Sequence, residues 1–447
     1  MNSFTKIHFL LTSALSFSVS TLGSASEHEQ RKSPNVIVIV ADDLGYGDIG
    51  CFGSDLAETP HLDALAAGGI KFTDFHANGT VCSPTRAALM TGRYQQRTGI
   101  NWVVTAKGHR DTGLNLEEVT LAELAKLADY KTGMIGKWHL GYSPKLNPTK
   151  QGFDVYKGFV SGNIDYHAYL DQTGRKDWWV QDQLSEEEGY LTDRISDHSV
   201  EFVKQHSVEP FFLYVAHGAP HYPYQGRNSP VLYELGKPRN SKKDIPTDAV
   251  YKEMIEAMDQ GIGRLVESLK AEGIFENTLI FFLSDNGQTA KIGSAGPLRG
   301  HKSVVWEAGH RVPAIAHWPA GIKAEQVSDE LVMGADLWPT MAELMGVEKP
   351  DELVIDGVSI VDHLQHGKGL KTRPFFLGMR SHNSVRLEQF KLVTDAKFQN
   401  PELYDLDKDL AETNNIAGNM PEKVGELTKL LKAWHHDVNA GVEVKAE

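Results

Sequence analysis

Cysteine is nearly absent: the 447 residues hold two, Cys51 and Cys82. That is too few for a disulfide framework, although an exported chain could pair these two. Positive charge is also scarce. Lys and Arg number 45 against 59 Asp and Glu, a net charge of −14. Such a chain is a poor generic binder of nucleic acid or anionic membrane, and neither is expected as a partner. An anionic substrate would need a local basic funnel working against the overall field. Long apolar runs are missing beyond the N-terminus, so no bilayer-crossing span is expected. Internal repeats and low-complexity tracts are absent too.

What is present begins with a leader. Lys6 supplies a positive region, His8 to Phe17 a short apolar one, and Ser24-Ala25-Ser26 a small-residue cleavage site. Residues 1–26 therefore read as a signal peptide, and the protein as exported, periplasmic or secreted. No cysteine lies near the cleavage point to carry a lipid anchor.

Asn35–Val40, Phe211–Ala216 and Leu279–Leu283 are continuous apolar runs of the kind buried on both faces of a parallel sheet. Lys131–Lys137 and Arg311–Trp318 are further strands. Helical spacing covers His61–Ala67, Leu116–Tyr130 and Val250–Gly273, with Thr120-x-x-Glu123 as a capping box. Strands alternating with helices predict an α/β fold with a mostly parallel central sheet flanked by helices. After about Leu370 the pattern shifts to short extended pieces and one helix over Pro421–His436. The expected division is a catalytic domain over 34–370 and a smaller α+β subdomain, antiparallel sheet plus helix, over 371–447.

The chemistry centres on Val81–Arg93. Ser83 suits an N-cap, Pro84 the first helical position, and Gly92 the helix end. Cys82 would then precede a helix N-terminus, which favours an anion, with Arg86 in the first turn. A cation in that position suggests a task, such as holding an oxyanion beside Cys82. Two strand ends carry oxygen ligands, Asp42-Asp43 and Asp285-Asn286. In open α/β sheets, sites form outside the carboxyl ends of strands. Three carboxylates and an amide suit a hard cation, Ca²⁺ or Mg²⁺ rather than Zn²⁺.

Cys82-Ser83-Pro84-Thr85-Arg86, with Leu89-Met90-Thr91-Gly92-Arg93 following, resembles the signature of type I sulfatases, of the alkaline phosphatase superfamily. Gly136-Lys137-Trp138-His139-Leu140-Gly141, Pro220-His221-Tyr222-Pro223, Leu298–Lys302 and Glu307–Pro313 resemble further blocks of that family, Ala308 replacing a usual Gly. The likeness spans about Asn35 to Pro319 and extends to Leu403–Leu406. It implies that Cys82 is converted by a maturation enzyme to formylglycine (3-oxoalanine), whose hydrate is the nucleophile. It also implies one divalent ion, Ca²⁺ before Mg²⁺, on Asp42, Asp43, Asp285, Asn286 and residue 82. Asp285 would act as base, while Arg86, Lys137 and Lys302 spread the sulfonyl charge. His221 would assist the leaving alkoxide and His139 would take a proton from the second hydroxyl. The reaction is sulfate-ester hydrolysis, releasing inorganic sulfate.

The group carrying the sulfate is less legible. Trp102, Tyr166, Trp178, Trp179 and Tyr224 could stack on sugars or simply fill the core. Ser161, Asp165, Tyr166, His167, Trp178 and Arg299 are candidate substrate contacts. Arg227, Lys237, Arg239, Lys242 and Lys243 make one loop basic. Together these favour a sulfated polysaccharide or oligosaccharide, a sulfated galactan such as carrageenan being the specific expectation. Rival readings are a phosphonate or phosphate monoester hydrolase of the same superfamily, a non-catalytic binder of sulfated glycans, and a Cys-His thiol hydrolase.

Overall fold

The computed structural model describes residues 33–240 and 247–446. The expected signal peptide lies outside the described residues, as do Lys242 and Lys243.

Five parallel strands form the centre of a ten-stranded sheet. In spatial order they are Thr278–Ser284, Asn35–Ala41, Phe211–Ala216, Lys131–Lys137 and Val155–Phe159. The apolar runs of the sequence serve two layers at once. Val36, Val38 and Val40 face one core, with Phe212, Tyr214 and the helices Cys82–Thr91, Leu121–Leu127 and Leu337–Met345. Ile37 and Ile39 face the other, with Leu213, Val215 and the helices Pro60–Ala67, Leu191–His206 and Asp248–Ala271. Alternation of side chains along each strand requires this double burial.

The edges reverse direction. Ala314–His317 runs antiparallel to Thr278–Ser284, and Ile70–Phe72 antiparallel to Ala314–His317. A two-strand turn, Trp179–Val180 and Gln183–Leu184, closes the opposite edge. A separate antiparallel sheet of four strands, Phe375–Gly378, His382–Leu387, Phe390–Asp395 and Glu402–Asp405, is covered by the helix Pro421–Asn439.

Register places the site. Ala41 pairs with Ser284, and Val40 with both Ala216 and Leu283. Asp42-Asp43 and Asp285-Asn286 therefore leave neighbouring strands at the same level, where Lys137 also ends its strand.

Three local expectations need correction. The helix expected over Leu116–Tyr130 is only Leu121–Leu127, because the Thr120–Glu123 capping box starts it late. The Cys82 helix starts at Cys82 itself, with Val81 extended at the N-cap, so Pro84 is third in the helix and Arg86 lies past the first turn. Ser83 does not cap it. Its hydroxyl donates to the His139 carbonyl at 2.9 Å and accepts from Val104 N at 3.0 Å, tying two loops together instead. Gly92 does end the helix, at φ 68°.

Candidate active site

Cys82 is 1% exposed and sits among three cations and three carboxylates. Its Sγ lies 3.4 Å from Asp42 Oδ1 and 3.4 Å from Lys302 Nζ. Burial, followed by the Asp285 charge, pushes the thiol well above its ordinary pKa. A protonated thiol is a weak nucleophile, which argues against the thiol-hydrolase reading. Both cysteines are free, and no Cys51–Cys82 bridge forms.

Arg86 is equally buried. Its Nε and Nη2 donate to Asp285 Oδ2 at 3.0 and 2.8 Å, and its Nη1 to the Lys137 carbonyl at 3.1 Å. Lys137 Nζ reaches Asp42 Oδ2 at 2.5 Å, and Lys302 Nζ reaches Asp43 Oδ1 at 2.5 Å. Burial works against the Lys302 charge, but Asp43 outweighs it and holds the ammonium protonated. Burial also raises the Asp285 carboxyl, helped by Asp42 and opposed by Arg86.

Two histidines complete the cluster. His221 donates through Nδ1 to the Tyr222 carbonyl at 2.6 Å, which leaves Nε2 facing Asp43 Oδ2 at 3.5 Å. Burial lowers its pKa to about 3 despite Asp43, so the ring is neutral. His139, at φ 57°, directs Nε2 to the Val104 carbonyl at 2.9 Å, and its buried Nδ1 has no partner. His217 stands at the neighbouring strand end, where burial, and after it Arg264, lowers its pKa to about 3.

The residues fit a hard cation. Asp43 Oδ2 and Asn286 Oδ1 are buried acceptors without hydrogen bonds, which is costly unless something binds them. Ligand atoms of Asp42, Asp43, Cys82 and His221 lie within 4.8 Å of one another. Asn286 Nδ2 donates to Asp43 Oδ1 at 2.7 Å, and this turns its oxygen free. Arg86, Lys137 and Lys302 balance the three carboxylates, so a divalent ion would leave the cluster positive toward an anionic ester.

The expected substrate contacts are placed otherwise. Asp165 staples a loop, accepting from the backbone N–H of His167, Ala168, Leu232 and Tyr233. Ser161 Oγ donates to the Asn163 carbonyl and His167 Nε2 lies 3.1 Å from the Gly226 carbonyl. Trp178 is 1% exposed between Tyr169 and His198, with no open ring face for a sugar. Tyr166 OH donates to the Gly218 and His221 carbonyls, which fixes the backbone of His221. Arg299 donates to Tyr404 OH and the Glu412 carbonyl and stacks on Trp306. In the basic loop, Arg227 pairs with Asp193 and Lys237 with Glu234. The supporting role of Ser83 and Tyr166 escaped the sequence because their partners lie 21 to 56 residues away.

A family model described as Sulfatase matches residues 34–347, and one described as N-sulphoglucosamine sulphohydrolase, C-terminal, matches residues 300–439. The N-acetylgalactosamine-6-sulfatase of Sus scrofa is 33% identical over 430 residues, covering 90% of this chain and 79% of the relative. Arylsulfatase A of Homo sapiens is 32% identical over 462 residues, covering 90% and 87%. Among solved structures, Ps i-CgsB in complex with k-i-k-neocarrahexaose is similar at a TM-score of 0.82 and 30% identity, covering 91% of this chain and 94% of that one.

Proposed function

The chain belongs to the sulfatase family and is a sulfuric ester hydrolase, and from that premise we propose that it desulfates a sulfated polysaccharide or oligosaccharide of the sulfated-galactan class, using formylglycine made from Cys82 and a Ca²⁺ ion. The observation that carries the chemistry is the buried, charge-balanced cluster around Cys82 with two orphaned oxygens, on Asp43 and Asn286. The substrate class is supported by the glycan named with Ps i-CgsB and the galactosamine named in the Sus scrofa relative.

Asp42, Asp43, Asp285, Asn286 and residue 82 would hold the ion. A divalent cation there acidifies a bound hydroxyl and polarises a sulfate oxygen. The chain's own groups supply the rest. Lys137 and Lys302 are ammonium donors fixed by Asp42 and Asp43 beside residue 82, and Arg86 holds Asp285 in place, so charge developing on the sulfonyl oxygens meets preorganised partners. The raised Asp285 carboxyl is a better proton acceptor than an exposed one. His139 keeps a lone pair on Nδ1, the state required to accept a proton. Lys302, and His221 once an anionic ester favours its protonation, are the donors available to the leaving oxygen. Export to the periplasm or medium and a maturation enzyme for Cys82 belong to the same reading. Among the described residues no helix is long and apolar enough to cross a membrane.

The test is the mass of the tryptic peptide Phe72–Arg86 from protein made with a converting enzyme, followed by sulfate release from carrageenan oligosaccharides. Loss of the Cys82 sulfur and labelling by an aldehyde probe are expected. An unmodified thiol in active protein overturns the mechanism, and activity confined to other sulfate esters overturns the substrate class.

A further inference from the structure

A cleft of about 370 Å³ opens between the first hairpin of the C-terminal sheet, the closing helix Pro421–Asn439 and the segment 96–101. That volume is within the usual range for small-ligand sites, roughly 300–1,000 Å³. Its wall is rich in amides: Gln96, Asn101, Asn383 and Asn439 line it with Arg380 and His435. Gln96 is 3% exposed, and its Nε2 donates to the Gly378 carbonyl at 3.2 Å. This bond fixes the amide orientation and leaves the buried Oε1 with no donor. Asn101 Oδ1 is also buried and unpartnered. Unsatisfied buried acceptors are uncommon, and these two border one cleft.

At its mouth the exposed Arg380 lays its guanidinium 4.5 Å over the Trp102 ring. Among the described residues no carboxylate pairs with Arg380. A guanidinium held against an aromatic face and free of a counter-ion is suited to bind an oxyanion.

The cleft is joined to the chemistry through a buried wall. Met379, which lines it, accepts through Sδ from Thr80 OH at 3.3 Å. Thr80 stands two residues before Cys82, and its carbonyl accepts from Ser303 N, beside Lys302, at 2.8 Å. Trp102 stands two residues before Val104, the partner of both Ser83 and His139.

We infer that this cleft is a second saccharide subsite, in which Gln96 and Asn101 accept hydroxyls of a sugar ring and Arg380 on Trp102 takes its sulfate or carboxylate. The sugar bound there is a neighbouring residue of the same chain whose ester lies at residue 82. The enzyme therefore reads a length of sulfated glycan and not one monosaccharide. This rests on the glycan reading given above.

The test compares kcat/KM of the matured enzyme on hexasaccharides and the matching disaccharides of carrageenan and of chondroitin 6-sulfate, with 4-nitrophenyl sulfate as a substrate too small to reach the cleft. For whichever glycan is turned over, the hexasaccharide should exceed the disaccharide by at least about tenfold, the worth of one hydrogen bond to a charged group. Arg380→Met, which keeps the apolar stem over Trp102, and Asn101→Ala should each erase most of that advantage. Both should leave 4-nitrophenyl sulfate turnover unchanged. Equal rates on both lengths, or variants that keep the advantage, overturn the subsite and leave the proposed function standing. Turnover of 4-nitrophenyl sulfate with neither glycan overturns the glycan reading and the subsite with it.

Discussion

Replacing Lys391 by Met should cost about 3 kcal/mol of folding stability. Lys391 is 1% exposed, and its ammonium lies 2.8 Å from Glu307 Oε1 and 2.9 Å from Glu412 Oε1. Glu307 opens the short helix Glu307–Gly309 after the Lys302 loop, whereas Lys391 lies on a strand of the C-terminal sheet. Removing one partner of a buried ion pair costs about 3–5 kcal/mol, because the remaining charge stays desolvated. Glu307 retains Arg311 Nη1 at 3.3 Å, which sets the estimate toward the low end of that range. Among the described residues Glu412 retains only the backbone N–H of Glu307, on its other oxygen. Its charge is therefore the principal orphan, and adding Glu412→Gln should recover at least about 1 kcal/mol, as coupled neighbours do. Urea titration of the parent, both single variants and the double variant measures this. A Lys391→Met loss under about 1 kcal/mol, or additive single and double effects, would refute the reasoning. kcat/KM should fall as well, since the Glu412 carbonyl holds Arg299, three residues from Lys302.

Cys82→Ala should abolish turnover, and Cys82→Ser should stop after one event with a sulfated protein visible by intact mass; steady turnover by the Ser variant at the parent rate would contradict the scheme. Chelation should remove activity and lower Tm, with both restored by Ca²⁺, because an ion present at 1,000 times its Kd contributes about 4 kcal/mol; a chelated enzyme of unchanged Tm would sink the metal assignment. Asp74 stays ionised well below the usual carboxylate range: burial opposes this, but His76, Arg311 and Arg386 prevail. A depressed folded pKa stabilises above the unfolded value of about 3.9 and is lost as pH falls below it. Tm should thus drop on acidification from about pH 4, and Asp74→Asn should flatten that slope. Tyr166→Phe should lower kcat with little change in stability slope against urea, because the hydroxyl anchors the His221 backbone; an unchanged kcat would remove that positioning role.

Local sequence was enough to determine the central strands, since a β-branched run such as Asn35–Val40 can satisfy both faces only inside a covered parallel sheet. It also determined which residue types could do the chemistry, because Asp42-Asp43, Asp285-Asn286 and the Cys82 segment carry their signature in contiguous residues. It did not determine the start of the Cys82 helix. The Ser83 hydroxyl had a local use as a cap, and a stronger distant one between His139 and Val104. Tertiary structure alone decided that the two acidic pairs stand side by side, through the Ala41–Ser284 register. It alone turned Trp178 into the core and Asp165 and Tyr166 into supports, because burial and partners are properties of folded neighbours. It alone brought Arg380 over Trp102 from 278 residues away. Contacts between distant segments leave no period or spacing in either segment, and so they appear only when the chain has folded.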